Sequence, residues 1–207
     1  MNRTLIVKIA FALIGTMCLA MGAATLITAN FGTDTFTASN LGGANHLGLS
    51  LGIYQLLFSV VVGILIWFLS PQLIGIGSLI NIFLTGFIID LFVKLIHVIP
   101  ISFDQMGVRI CLLVFGLLIY SLGISLYTGA DIGAGSYDAI SLVIAEKSKM
   151  KFIFARIITD SFFLLLGFVL GGPIGLVTFL AAVGLGPLIS TWNRLFVTNM
   201  YKSVVPE

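Results

Sequence analysis

Charged residues make up only 9% of the 207 positions, against about 25% in an ordinary soluble domain. So few cannot cover a water-exposed surface, which excludes a soluble globular protein. The 59% hydrophobic content and the mean hydropathy of +1.18 agree, and the lipid bilayer is the expected surrounding. Ten Lys and Arg against eight Asp and Glu leave a net charge of +2, which gives no case for nucleic acid. Cysteine is nearly absent: Cys18 and Cys111 both lie inside apolar runs and read as small buried hydrophobes rather than a disulfide or a metal site. The two histidines, His46 and His97, have no partner at metal-ligand spacing. No nucleophile elbow, phosphate loop or zinc cluster occurs, so the chain is not expected to be an enzyme, to hold a metal or to need a cofactor. Neither end carries a long polar tail, and a single membrane domain over residues 1–207 is expected.

Long apolar runs are what the sequence has instead. A span needs about 20 apolar residues to cross a hydrocarbon core of roughly 30 Å. Six runs suffice: about Leu5–Thr28, Leu51–Leu69, Ile74–Ile96, Val108–Tyr127, Phe152–Leu170 and Ile174–Phe196. The first follows Arg3 and Lys8 as a signal peptide would, but it exceeds the usual h-region of roughly 7–15 residues and reads as a retained span. Ser70-Pro71, Pro100 and Gly171-Gly172-Pro173 interrupt the runs with helix-stopping chemistry. Pro187, which follows Gly184 and Gly186 in the last run, should kink that span or break its hydrogen-bond ladder.

Basic residues near span ends set orientation. With six spans, one side holds Arg3, Lys8, Lys147, Lys149, Lys151, Arg156, Arg194 and Lys202, and the other holds Lys94 and Arg109. That asymmetry predicts a multi-pass protein with both termini cytoplasmic.

One stretch occurs twice. Ala29-Asn30-Phe31-Gly32-Thr33-Asp34-Thr35-Phe36-Thr37-Ala38 returns 101 positions later as Ala130-Asp131-Ile132-Gly133-Ala134-Gly135-Ser136-Tyr137-Asp138-Ala139. Gly15 and Gly22 match Gly116 and Gly123, and Gly75 and Gly86 match Gly175 and Gly186 at an offset of 100. Repeats of about 1–100 and 101–200, each with three spans, follow. Three is odd, so the second repeat enters the membrane inverted, an arrangement that transporters use with sites near the midplane. The fold class expected is therefore all-α: six transmembrane helices in two inverted three-helix repeats, each with a short re-entrant or interfacial helix at its motif. Thr33 or Asp34 would cap the first short helix, Gly42-Gly43 would end it, and Ser136 would cap the second. If such helices aim inward, their N-termini suit an anion, whereas carboxylates nearby suit a cation; the residues leave the sign open.

The acids are few and deep. Asp34, Asp131 and Asp138 belong to the motifs, and Asp160 lies inside the fifth run, four residues from Arg156 and able to pair with it. Ionisable groups at membrane depth usually face a bundle interior or a wet cavity, or else form a structural pair. Asp34, Asp131, Asp138, Asp160 and Arg156, with Thr35, Phe36, Ser136 and Tyr137 beside them, form the candidate substrate-binding set.

Gly32-Thr33-Asp34-Thr35-Phe36-Thr37, Ile74-Gly75-Ile76-Gly77-Ser78-Leu79-Ile80-Asn81, Gly129 through Asp138, Ala155-Arg156-Ile157-Ile158-Thr159-Asp160 and Gly184-Leu185-Gly186-Pro187-Leu188 resemble the YczE/YyaS/YitT group of bacterial membrane proteins over nearly the whole chain. Members of that group commonly have proline where this chain has Thr35 and Ser136. The resemblance implies a bacterial cytoplasmic-membrane location and adds no substrate. The leading expectation is a transporter for a small polar or charged solute, with its site between the repeats. The alternatives are a substrate-binding subunit with an energising partner and a non-transporting accessory or scaffold protein; a homo-oligomer is compatible with all three.

Overall fold

A computed structural model describes residues 3–100, 102–103 and 105–204, so positions 1–2, 101, 104 and 205–207 of the expected domain lie outside the described residues. Within them the chain is helical, with no strand. In order, the helices are α1 (Arg3–Ala29), α2 (Thr35–Leu47), α3 (Leu51–Leu69), α4 (Ile76–Val98), α5 (Met106–Gly129), α6 (Ser136–Ser148), α7 (Phe152–Val169), α8 (Leu176–Trp192) and α9 (Thr198–Val204). A single 3-10 turn, Pro71–Leu73, separates α3 from α4, and a π-helical segment, Asn193–Val197, carries α8 into α9.

Five helices, α1, α3, α4, α5 and α7, are long and apolar enough to cross a membrane. The sixth expected span falls on α8, which has 17 residues and contains Pro187. Its far end is tied to α5 by polar contacts: Trp192 Nε1 donates to Ser121 Oγ at 3.0 Å, and Ser125 Oγ donates to Asn193 Oδ1 at 2.6 Å. Many of the spans' large apolar side chains, such as Phe68, Phe168 and Leu165, are exposed, as a lipid-facing surface requires.

The short helices α2 and α6 have 13 residues each, about 20 Å at 1.5 Å per residue and too short to cross. Asp34 caps α2, accepting from the Thr37 backbone N–H at 3.0 Å. Gly42 and Gly43 do not end this helix. It continues to Leu47, where Gly48, at φ 64°, closes it in the left-handed region. The glycines instead permit close approach: a Cβ on Gly43 would collide with the Tyr54 ring, and one on Gly42 with the Leu170 carbonyl oxygen. Ser136 does not cap α6 either. Gly135 holds the N-cap position, and the Ser136 hydroxyl is used for a 3.0 Å bond to Ser59 Oγ. Nine of the α2 residues are buried, so this helix is inserted among its neighbours rather than laid on them.

The central contact is between α1 and α5. Gly15 meets Tyr127 and Gly123, Gly22 meets the Tyr120 backbone, and Gly123 meets Leu19. Small residues at one helix spacing let the two backbones touch, and Ala20, Ala23, Ala24 and Leu26 are fully buried beside them.

The two motif turns make the same contacts with opposite partners. The Phe31 carbonyl accepts from Val177 N–H at 3.0 Å, and the Ile132 carbonyl accepts from Gly77 N–H at 2.8 Å. Gly32 and Gly133 have φ of 95° and 118°, and each lies against the N-cap glycine of the facing helix, Gly175 or Gly75. Those caps match as well: Ser78 Oγ accepts from Gly75 N–H and Thr178 Oγ1 from Gly175 N–H, both at 3.1 Å. Near the start of α3, Gly52 N–H donates to Asp90 Oδ2 of α4 at 2.8 Å.

Candidate functional site

Where α5, α6, α7 and α8 meet the start of α2 and the end of the Pro71–Leu73 turn, they line a cavity of about 610 Å³. Proteins bind small molecules in cavities of roughly 300–1,000 Å³. Its wall brings together seven of the nine sequence candidates: Asp34, Thr35, Asp131, Tyr137, Asp138, Arg156 and Asp160.

Arg156 is the organising group. Its Nη1 lies 2.5 Å from Asp138 Oδ1, its Nε lies 3.5 Å from Asp160 Oδ1, and its guanidinium sits 4.3 Å over the Tyr137 ring. The pair with Asp160 is the i,i+4 contact that spacing on one helix face allows. Tyr137 donates its hydroxyl proton to Asp160, and Thr35 Oγ1 lies 2.9 Å from the Tyr137 oxygen and 3.5 Å from Asp160 Oδ1. One carboxylate oxygen thus gathers a guanidinium and two hydroxyls, charge-assisted bonds that outlast neutral ones. Burial pushes the pKa of the Tyr137 phenol well above its usual value, so this hydroxyl stays a donor.

Asp34 is buried and already engaged: Thr37 N–H and the Thr33 hydroxyl, at 3.2 Å, supply its two oxygens. Asp131 is exposed on the wall and holds a positive φ of 50°, a conformation that Asp and Asn tolerate better than most residues. The remaining two candidates stand outside this wall. Phe36 stacks on Tyr137, with centroids 5.0 Å apart, and meets Phe163 edge-on. Ser136 is turned to Ser59. Both support the wall from behind.

A second, smaller chamber of about 40 Å³ adjoins the first and shares Tyr120, Tyr137, Asp138 and Arg156 with it. Gln55 Oε1 and Thr85 Oγ1 face this region buried and without a hydrogen-bond partner among the described residues. The chamber is polar and large enough for a water molecule.

Sequence reasoning did not select Tyr120, Thr128 or Gln72, which also line the large cavity. Tyr120 had a signal: it lies between Gly116 and Gly123, a polar ring among the residues that bring helices together. Gln72 had none, because only the folded Pro71–Leu73 turn brings it to the wall.

Three curated relatives align with most of the chain. The "Uncharacterized protein YyaS" of Bacillus subtilis is 30% identical over 81% of this chain and 83% of its own length. An "Uncharacterized protein" of Haemophilus influenzae is 28% identical over 83% and 76%. The "Uncharacterized membrane protein YczE" of Bacillus subtilis is 27% identical over 91% and 86%. No solved structure matches. A relative described as a membrane protein and five helices of spanning length and composition agree on a membrane location for this chain. The model of a family of unknown function, DUF6198, matches residues 6–194, and the chain belongs to that family.

Proposed function

We propose that the chain is one membrane domain that carries a small polar or charged solute across the bacterial cytoplasmic membrane by alternating access. The observation that carries this reading is the 610 Å³ cavity, whose wall gathers four carboxylates and one guanidinium from both motifs and from α7. Such groups at membrane depth are costly unless a wet cavity or a ligand meets them.

The proposed architecture is six spans in two inverted halves, with α2 and α6 as re-entrant helices. Paired contacts support it. At an offset of 101, Thr35 corresponds to Ser136 and Asp160 to Ser59; Thr35 bonds Asp160, and Ser136 bonds Ser59. By the same offset Arg156 corresponds to Gln55, Tyr137 to Phe36 and Asp138 to Thr37. At these positions the second half is charged where the first is polar or aromatic and neutral. Around the first-half positions the space is small: Phe36, Thr37 and Gln55 line only the chamber of about 40 Å³. On this reading the large cavity is the open side of the carrier and the small chamber its nearly closed counterpart, as a single state of an alternating carrier would have. The wall includes the C-terminal part of α5, the start of α7 and the end of α8. By the basic-residue asymmetry these ends are cytoplasmic, so this form faces inward.

The purified protein, screened by thermal shift against metabolites and ions and then reconstituted with the hits in liposomes, tests the function. Sustained uptake by the protein alone is expected. A ligand held without sustained uptake would instead identify a binding subunit in need of an energising partner, and the absence of both would leave a scaffold. Orientation is read separately. A cysteine replacing His46, in a background without Cys18 and Cys111, should react with an impermeant reagent added outside whole cells. Reaction from the cytoplasmic side alone would overturn the topology.

A further inference from the structure

Resting on the transport reading of this cavity, we infer that its solute is an organic cation, a protonated amine or quaternary ammonium group carried on an apolar body. Charge comes first. Among the described residues the wall holds Asp34, Asp131, Asp138 and Asp160 against Arg156 alone, a formal −3. A low-dielectric cleft lined by one sign focuses its field and concentrates the opposite ion.

The positive features that could have served an anion are already occupied. Arg156 is held by Asp138 and Asp160 and covers the Tyr137 ring. The N-terminus of α2, otherwise a ready anion site, is filled by the chain's own Asp34 carboxylate. The first turn of α6 carries Asp138. An anionic solute would therefore meet a wall of net formal charge −3 on which, among the described residues, no cation is unengaged.

Acceptors are available, by contrast. Asp160 and Asp138 each use Oδ1 in the contacts described, and neither Oδ2 has a hydrogen-bond donor among the described residues. Asp131 stands exposed on the wall. Much of the remaining surface is apolar or aromatic, with Tyr120, Ile124, Leu142, Ile153 and Leu185, beside the neutral polar Gln72, Thr128 and Ser190. That wall would desolvate a hydrocarbon group at about 25 cal/mol per Å² and offers little to a bare inorganic ion. A cation with an apolar body answers both halves of the lining.

Four probes separate the possibilities: benzyltrimethylammonium, benzyl alcohol, benzoate and ammonium chloride. Each is titrated against the purified full chain, with thermal shift and isothermal calorimetry as readouts. The expected result is that benzyltrimethylammonium alone binds, and that its affinity falls as NaCl rises, because screening weakens the attraction. Asp131→Asn, at a position whose backbone asparagine accepts, should retain the wild-type melting temperature and weaken that binding on the order of tenfold. Binding of benzoate, equal binding of benzyl alcohol, binding of ammonium as tight as that of the aromatic cation, or no binding by any of the four would overturn the inference. An unchanged affinity in Asp131→Asn together with salt-independent binding would do the same. Transport is scored separately in liposomes: cation binding without uptake supports this inference and counts against the carrier reading, whereas uptake of an anion supports the carrier reading and sinks this one.

Discussion

Arg156→Ala should lower the apparent melting temperature more than any other single change in the cavity wall. The substitution removes the only positive charge among the described residues of a wall that holds four carboxylates, and it leaves Asp138 and Asp160 both without their guanidinium partner. Breaking a fully buried pair costs about 3–5 kcal/mol because one charge is left uncompensated. The Arg156 side chain keeps 24% exposure, so screening reduces this, and a loss of about 2–3 kcal/mol is expected. Asp138→Ala added to Arg156→Ala should recover part of the loss, since it removes one of the stranded charges. Thermal unfolding of the single and double variants in detergent decides the matter. If the double variant is as unstable as the sum of its parts, the cost lies in lost side-chain packing and not in stranded charge.

Gly123→Leu should prevent folding outright. In an exposed helix, leucine is the better residue by up to about 1 kcal/mol, so local propensity would favour the change. The contact decides otherwise. A Cβ at this position would fall on the Leu19 backbone nitrogen and near the Gly15 carbonyl oxygen. Backbone cannot rotate away as a side chain can, so α1 and α5 would have to separate and uncover Ala20, Ala23, Ala24 and Leu26. Overpacking in a core that can adjust costs typically 1–3 kcal/mol; here the yielding atoms are main chain, and the expected outcome is loss of a monodisperse peak on size exclusion. Gly107→Leu is the control, because nothing lies within 4 Å of a Cβ there. Equal behaviour of the two variants would show that the α1–α5 approach is not what these glycines serve.

Much of the membrane architecture could be read from the sequence because hydrophobic length is additive: 18 or more apolar residues announce a crossing whatever they later touch. Five of the six expected spans match helices of that kind, and the sixth, α8, is shorter than its apolar run because the helix passes through the π-helical segment Asn193–Val197. Local punctuation was less informative. Gly42-Gly43 looks like a helix stop, yet the pair lies inside α2, against Tyr54 and Leu170. Glycine signals a backbone that must bend or one that must be approached, and sequence alone does not separate the two. The site's acids could be found because carboxylates are rare and conspicuous in a lipid-facing chain. Ser136 was misassigned for the opposite reason: a hydroxyl before a helix usually caps it, but Ser59, 77 positions away, offered a tertiary partner.

The Gly52–Asp90 hydrogen bond carries a consequence for how such a carrier would rest. By the repeat, Gly52 corresponds to Ile153 and Asp90 to Ser190; both counterparts line the open cavity, whereas Gly52 and Asp90 are joined at 2.8 Å. The two sides are therefore not energetically equivalent. On the alternating-access reading, opening the closed side means giving up a bond to a carboxylate, worth about 1.5–3 kcal/mol, for at most a neutral bond from Ile153 N–H to the Ser190 hydroxyl, worth about 0.5–1.5 kcal/mol. That difference of about 1–1.5 kcal/mol alone populates the inward-facing form about five- to tenfold over its opposite. Solute arriving from outside would then meet a mostly shut door, and its apparent affinity on that side would be weaker by the same factor. Affinities measured from the two faces of an oriented liposome would expose the inequality, and equal values would exclude it. A two-sided carrier built on this chain would work as a rectifier.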